Sequence, residues 1–119
     1  MRRIIVCLVA LLGAANMALA TEYLTVIPDL PLPTGLVEIV ENGAVFDAPT
    51  GRIATGYASG QVTAEAVRDF YDQTLPQLGW ESVVSGTYRR QSETLKIDVL
   101  GGEDGNPANV SFTLSAESQ

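Results

Sequence analysis

Apolar residues along the chain follow three rhythms. From Ile4 to Leu12 they are continuous, from Val67 to Leu78 they recur at intervals of three and four, and from Leu95 to Leu114 they alternate with polar residues. The alternating stretches, Leu95-Ile97-Val99 around Lys96 and Asp98 and Val110-Phe112-Leu114 around Ser111 and Thr113, predict half-buried strands with one wet face. The middle stretch, Val67, Phe70, Tyr71, Thr74, Leu75 and Leu78, predicts one amphipathic helix. Its ends are equally specified. Thr63 can cap the first amides, Glu65 faces the positive end of the helix dipole, and Val62 with Val67 forms a hydrophobic staple. Gly79 supplies the left-handed stop, after which Trp80 can fold back onto Leu75. Pro76 removes the helical partner of the Asp72 carbonyl, so the last turn should bend or tighten.

On either side of the helix the pattern predicts hairpins. Ala44–Asp47 and Arg52–Ala58 flank the turn Ala48-Pro49-Thr50-Gly51, and Trp80–Ser85 and Thr87–Gln91 flank Gly86. Leu36–Val40 reads as a short strand ending at Asn42-Gly43. The order hairpin, helix, meander gives an α+β fold of two layers. One amphipathic helix covers one face of an antiparallel sheet of about 4–5 strands. The expected core is Phe46, Ile53, Val67, Phe70, Tyr71, Leu75, Leu78, Trp80, Val84, Tyr88, Leu95, Ile97, Val99, Val110, Phe112 and Leu114.

The continuous apolar run predicts a different fate for the N-terminus. Arg2 and Arg3 precede it, and Ala18-Leu19-Ala20 offers the small-x-small pattern of a signal peptidase site. Residues 1–20 therefore read as a signal peptide cleaved between Ala20 and Thr21, giving a periplasmic or secreted protein after Sec-type export. A retained leader would make it a membrane-anchored one. Residues 21–43, with Pro28, Pro31 and Pro33, read as a Pro-rich extended arm laid across the domain or tethering it. Residues 44–119 form the α+β domain. The one cysteine, Cys7, lies in the leader, so the mature chain is cysteine-free.

Charge narrows the function further. All 14 acids follow position 20, so removing the leader with Arg2 and Arg3 takes the net charge from −7 to −9, which argues against nucleic acid as a partner. The chain contains no His, which rules out Ser-His-Asp and Cys-His catalysis and His-based zinc sites.

Other chemistry finds little footing. Ser59 in Gly56-Tyr57-Ala58-Ser59-Gly60 is displaced by one position from a nucleophile elbow and has no base beside it. Glu65, Asp69 and Asp72 share one side of the helix, off the apolar stripe, where water keeps carboxylates from becoming catalytic acids. Glu103, Asp104 and Asn106 offer oxygen ligands for calcium, but the string fits a polar hairpin loop. No catalytic, cofactor-binding or metal-binding residues are assigned. Arg52, Arg89 and Arg90 are the remaining candidates, as contacts for an anion or an acidic partner if the first hairpin lies beside Thr87–Gln91. Strand alternation forbids Arg89 and Arg90 from sharing one site.

The stretch Phe70-Tyr71-Asp72-Gln73-Thr74-Leu75-Pro76-Gln77-Leu78-Gly79-Trp80, together with Phe46-Asp47-Ala48-Pro49-Thr50-Gly51-Arg52-Ile53, resembles small exported bacterial proteins. These carry a signal peptide, a Pro-rich start and an FYxxxLPxLGW helix end. The resemblance spans residues 44–114 and implies no activity and no site residues. The expectation is thus a non-enzymatic interaction or accessory module of the bacterial cell envelope, with an envelope protein as partner. Alternatives are a small-ligand or lipid-binding periplasmic protein and, more remotely, a carboxylate-dependent hydrolase.

Overall fold

The structure is a computed structural model and describes residues 22–117. The predicted leader and the cleavage-site residues Ala18, Ala20 and Thr21 lie outside the described residues. In chain order the elements are β1 (Glu22–Tyr23), β2 (Pro31–Leu32), β3 (Val37–Glu38), a 3-10 turn (Val40–Asn42), β4 (Ala44–Ala48) and β5 (Gly51–Gly60). Then come α1 (Ala64–Thr74), a 3-10 turn (Leu75–Leu78), β6 (Glu81–Val84), β7 (Thr87–Arg90), β8 (Glu93–Gly101) and β9 (Ala108–Glu117). β1 and β2 form a two-stranded ribbon. The remaining strands make one antiparallel sheet in the order β3-β5-β9-β8-β7-β6, with β4 pairing the same side of β5 as β3.

The α+β class and the order hairpin, helix, meander match the pattern of the sequence. The size does not: the sheet has seven strands, not four or five, and a two-stranded ribbon stands beside it. β1, β2 and β3 are each two residues long, too short for an alternating signal; of the three only β3 falls inside a predicted strand, Leu36–Val40. Their pairing is set by the distant surfaces onto which they fold.

Helix α1 is bounded as its sequence specifies. Thr63 Oγ1 accepts from the Ala66 amide at 3.0 Å, and the Gly102 carbonyl accepts from the Ala64 amide at 3.1 Å, so the β8–β9 loop helps cap the helix. At the far end Pro76 tightens the chain into a 3-10 turn. Gly79 takes φ +93°, and the Trp80 amide returns to the Leu75 carbonyl at 3.0 Å. Val67, Tyr71 and Leu75 then face a sheet surface made by Tyr88, Leu95, Ile97, Val110 and Phe112, all buried.

The Pro-rich segment belongs to this core. Leu24, Ile27, Leu30, Leu32 and Leu36 are buried in the same cluster as the helix and sheet residues. The segment folds back on itself, with Leu24 N donating to Leu30 O at 3.0 Å and Leu30 N to Ile27 O at 2.9 Å, and it lies against the covered face of β5. Between Arg52 and Gly60 that face carries only Ala54, Gly56 and Ala58. The reason is room. A β-carbon on Gly56 would sit 3.1 Å from Val26 Cγ2 and 3.6 Å from the Leu24 methyls, and one on Gly60 would meet the Gly35 carbonyl oxygen at 1.8 Å.

This close approach overturns part of the expected core. Because the small residues of β5 face inward, alternation turns Ile53 outward, and its cross-strand partner Phe46 goes with it, 60% exposed. Val84 is 61% exposed, like the whole of the edge strand β6, whose four residues are all exposed. Leu78 is exposed because the 3-10 turn rotates it off the helical stripe. Phe70, Val99 and Leu114 are only partly buried and pack at the margin of the core.

Ile27→Ala is therefore expected to cost about 2–5 kcal/mol, whereas Phe46→Ala stays within about 0.5 kcal/mol. Urea denaturation of both variants checks the contrast.

Candidate functional site

Of the three arginines singled out by sequence, Arg89 parts from the other two, and the first hairpin does not lie beside β7, since β9 and β8 stand between β5 and β7. Arg89 lies on the open face of the sheet and donates to Thr94 Oγ1 at 3.3 Å. Arg52 and Arg90 lie on the covered face, as alternation requires. Arg52 Nε meets Asp47 Oδ1 of its cross-strand partner at 3.1 Å, both side chains well exposed. Such a pair stabilises the fold by less than about 1 kcal/mol.

Arg90 is differently placed. Its Nε and Nη2 donate to Glu93 Oε1 at 3.1 and 2.9 Å, Nη2 also to Asp29 Oδ2 at 2.9 Å, and Nη1 to the Leu78 carbonyl at 3.1 Å. The guanidinium lies 4.3 Å from the centre of the Trp80 ring. One side chain thus ties together the N-terminal segment, the end of the helix and the sheet. Four of its five N–H donors are spent on internal acceptors, which makes it a fastener of the fold. The acceptors Asp29 and Glu93 carry no signal of this role in the sequence, since Asp29 is separated from Arg90 by 61 positions.

Arg52 and Arg90 do share a cleft of about 300 Å3. Val26, Pro28, Val45, Ala54, Leu114 and Ala116 give it apolar walls, and Asp29 and Glu93 balance the two arginines. Val45 belongs to β4, so the cleft opens beside the sheet edge. Among the described residues β4 pairs only with β5, which leaves its outer edge unpaired.

Both faces of that edge present a large apolar side chain, Phe46 on the open face and Val45, 45% exposed, on the cleft side. β4 contains no Lys, no Pro and no register shift. The opposite edge, β6, is interrupted by its bulge. Proteins ordinarily blunt their edges with such devices; in this sheet the β6 edge has its bulge, and the β4 edge has a single charge, Asp47, which is paired with Arg52.

The remaining candidates are dispersed. Glu65 and Asp69 stand exposed on α1, while Asp72 accepts from the Tyr88 hydroxyl at 2.6 Å. That bond borders a cleft of about 210 Å3 between the helix and β7–β8, with Arg68, Ser85 and Asp98 on its walls. Glu103, Asp104 and Asn106 form a tight turn, Asn106 N donating to Glu103 O at 3.0 Å with Asp104 at φ +53°. Ser59 lies in β5 opposite Asn109 and Val37. No cluster of three potential metal-ligating side chains occurs among the described residues, and no helix there is long and apolar enough to cross a membrane.

Comparison with protein-family models, curated proteins and solved structures finds no match for the chain. The functional reading therefore rests on the geometry.

Two consequences are testable. Arg90→Ala should lower stability by about 1–3 kcal/mol, and Arg90→Lys should recover less than half of the loss. An ammonium cannot hold Glu93, Asp29 and the Leu78 carbonyl while stacking on Trp80. The second concerns alkali. Burial pushes the Tyr71 phenol pKa up, and burial with the bond to Asp72 and its negative charge does the same for Tyr88. Both folded-state values lie above the ordinary tyrosine value of about 10, so their contribution is intact below about pH 10 and is lost as pH rises further. The urea midpoint should fall above that pH, and Tyr88→Phe should make the fall shallower.

Proposed function

We propose that this chain is an exported, non-enzymatic α+β interaction module of the bacterial cell envelope, acting in the periplasm or outside the cell. The outer edge of β4, unpaired among the described residues and with Phe46 and Val45 exposed on its two faces, is the observation that carries the reading. An exposed, regular and apolar edge strand invites aggregation unless a partner covers it. Export is supported by the sequence: the arginine pair, the apolar run and the small-x-small site before Thr21.

Small-ligand binding has less behind it. Tyr71, Phe112 and Leu95, all buried, fill the space between helix and sheet; two of the remaining clefts have charged groups on their walls, and an uncharged one of about 320 Å3, lined by Ile39, Tyr57, Leu100 and Val110 among others, lies apart from the helix. A carboxylate hydrolase would need two acids in one water-poor cleft. Glu65 and Asp69 stand in water, and Asp72 holds Tyr88.

The test is to express the full chain, tagged at its C-terminus, in its native host with a photo-crosslinking residue at position 46 or, as a control, at Lys96. The reading predicts an intact mass starting at Thr21 in the soluble envelope fraction and a discrete adduct from position 46 alone. A mass starting at Met1 in membranes would contradict the export half. Absence of an adduct beyond the Lys96 control would contradict the binding half.

A further inference from the structure

Strand β4 offers more than a surface, because its geometry specifies what can lie against it. An added strand would run about 4.8 Å from β4, with its side chains alternating between the two faces. On the open face it would meet Phe46, with Ile53 behind it on β5, both exposed and directly paired across β4 and β5. Apolar side chains suit those positions. On the other face it would meet Val45 and Asp47, and behind them the cleft walled by Val26, Pro28 and Leu114.

Charge decides what suits the second face. Asp47 and Asp29 are exposed there, and Glu93 lies deeper in the cleft. Both arginines of the cleft already have carboxylate partners: Arg52 holds Asp47, and Arg90 holds Asp29 and Glu93. The cleft itself is balanced, and Asp47 on the strand beside it makes three carboxylates against two guanidiniums, so edge and cleft together are net negative, on a chain whose charge is −7 with its leader. Long basic side chains fit both demands. Their aliphatic stems can lie on Val45 and Pro28 while the charged heads reach Asp47 and Asp29.

We infer that the outer edge of β4 takes up an extended segment of a partner protein as an additional antiparallel strand. That segment alternates apolar side chains over Phe46 and Ile53 with Lys or Arg side chains at the Asp29–Asp47 cleft. The inference rests on the interaction-module reading and names the surface and the partner chemistry of that module.

The experiment uses the isotopically labelled chain, titrated with a short peptide of alternating valine and lysine and with the same peptide carrying glutamate for lysine. Backbone amide shifts are followed by NMR. The expected result is saturable shifts confined to Ala44–Ala48, Arg52 and the cleft, with the glutamate peptide at least about tenfold weaker and the lysine peptide weakened by salt. Phe46→Lys adds an edge-protecting charge at an exposed position, and Asp47→Lys reverses the charge beside the cleft. Each should weaken binding about tenfold or more while leaving the unliganded spectrum folded.

Equal binding of the two peptides would overturn the partner chemistry. Shifts at Glu81–Val84, or no shifts at all, would overturn the site. Concentration-dependent shifts at β4 without peptide would show that a second copy occupies the edge, and would also overturn it. The titration is independent of export and of the native partner. A crosslink at position 46 with no peptide binding therefore sinks this inference alone, and the converse sinks the envelope reading alone.

Discussion

Everything in this fold depends on how closely the N-terminal segment approaches β5. Leu24 and Val26 lie on Gly56, where a β-carbon would crowd Val26 at 3.1 Å, and the Gly35 carbonyl lies on Gly60, where there is no room for a side chain. Strand alternation carries the consequence outward. A strand that must present Ala54, Gly56 and Ala58 inward presents Ile53, Thr55, Tyr57 and Ser59 outward. Register then places Phe46 beside Ile53, and the edge of β4 becomes apolar on its open face. A packing requirement in the core thus produces the surface on which the functional reading rests.

The segment is held by polar fasteners as well as by its leucines. The buried Tyr71 hydroxyl donates to the Pro31 carbonyl at 2.8 Å, and its ring meets Phe112 edge-on at 5.8 Å, so one side chain joins helix, N-terminal segment and sheet. Arg90 makes a second junction of the same three parts through Asp29, Leu78 and Glu93. At the other end Glu38 accepts from the amide and hydroxyl of Thr25, each at 3.0 Å. With the domain this small, a handful of such bonds is a large fraction of net stability.

The parts legible in the sequence were those governed by local rules. The Thr63 cap, the Gly79 stop and the tightening at Pro76 follow from neighbours within a turn, and the long strands announce themselves by alternation. Strands of two residues carry no period, so β1 and β2 are invisible in the sequence, whereas β3 falls inside the short strand read at Leu36–Val40. The outward turn of Phe46 and Ile53 was also hidden. Size ranks them above Ala54 and Ala58 as core residues, and only the tertiary approach of Leu24 and Val26 reverses that order. For the candidate site, alternation separated Arg89 from Arg90 correctly. The role of Arg90 was not legible, because Asp29 and Trp80 reach it only in the folded chain. The edge of β4 reads in sequence as one arm of a hairpin, and nothing local to Ala44–Ala48 says that its outer side stays unpaired.

The central claim is that the N-terminal segment is an integral part of the core. Native-state hydrogen exchange at the Leu24 and Leu30 amides tests it most directly, since both lie on buried residues and Leu24 N donates to Leu30 O within the segment. The prediction is that they exchange only through global unfolding, with the same denaturant dependence as the central amides of β8 and β9. Exchange near the rate of an unstructured chain, while β8 and β9 stay protected, would show a segment that detaches from a self-sufficient sheet. Close packing of that segment would then no longer account for the outward face of β5.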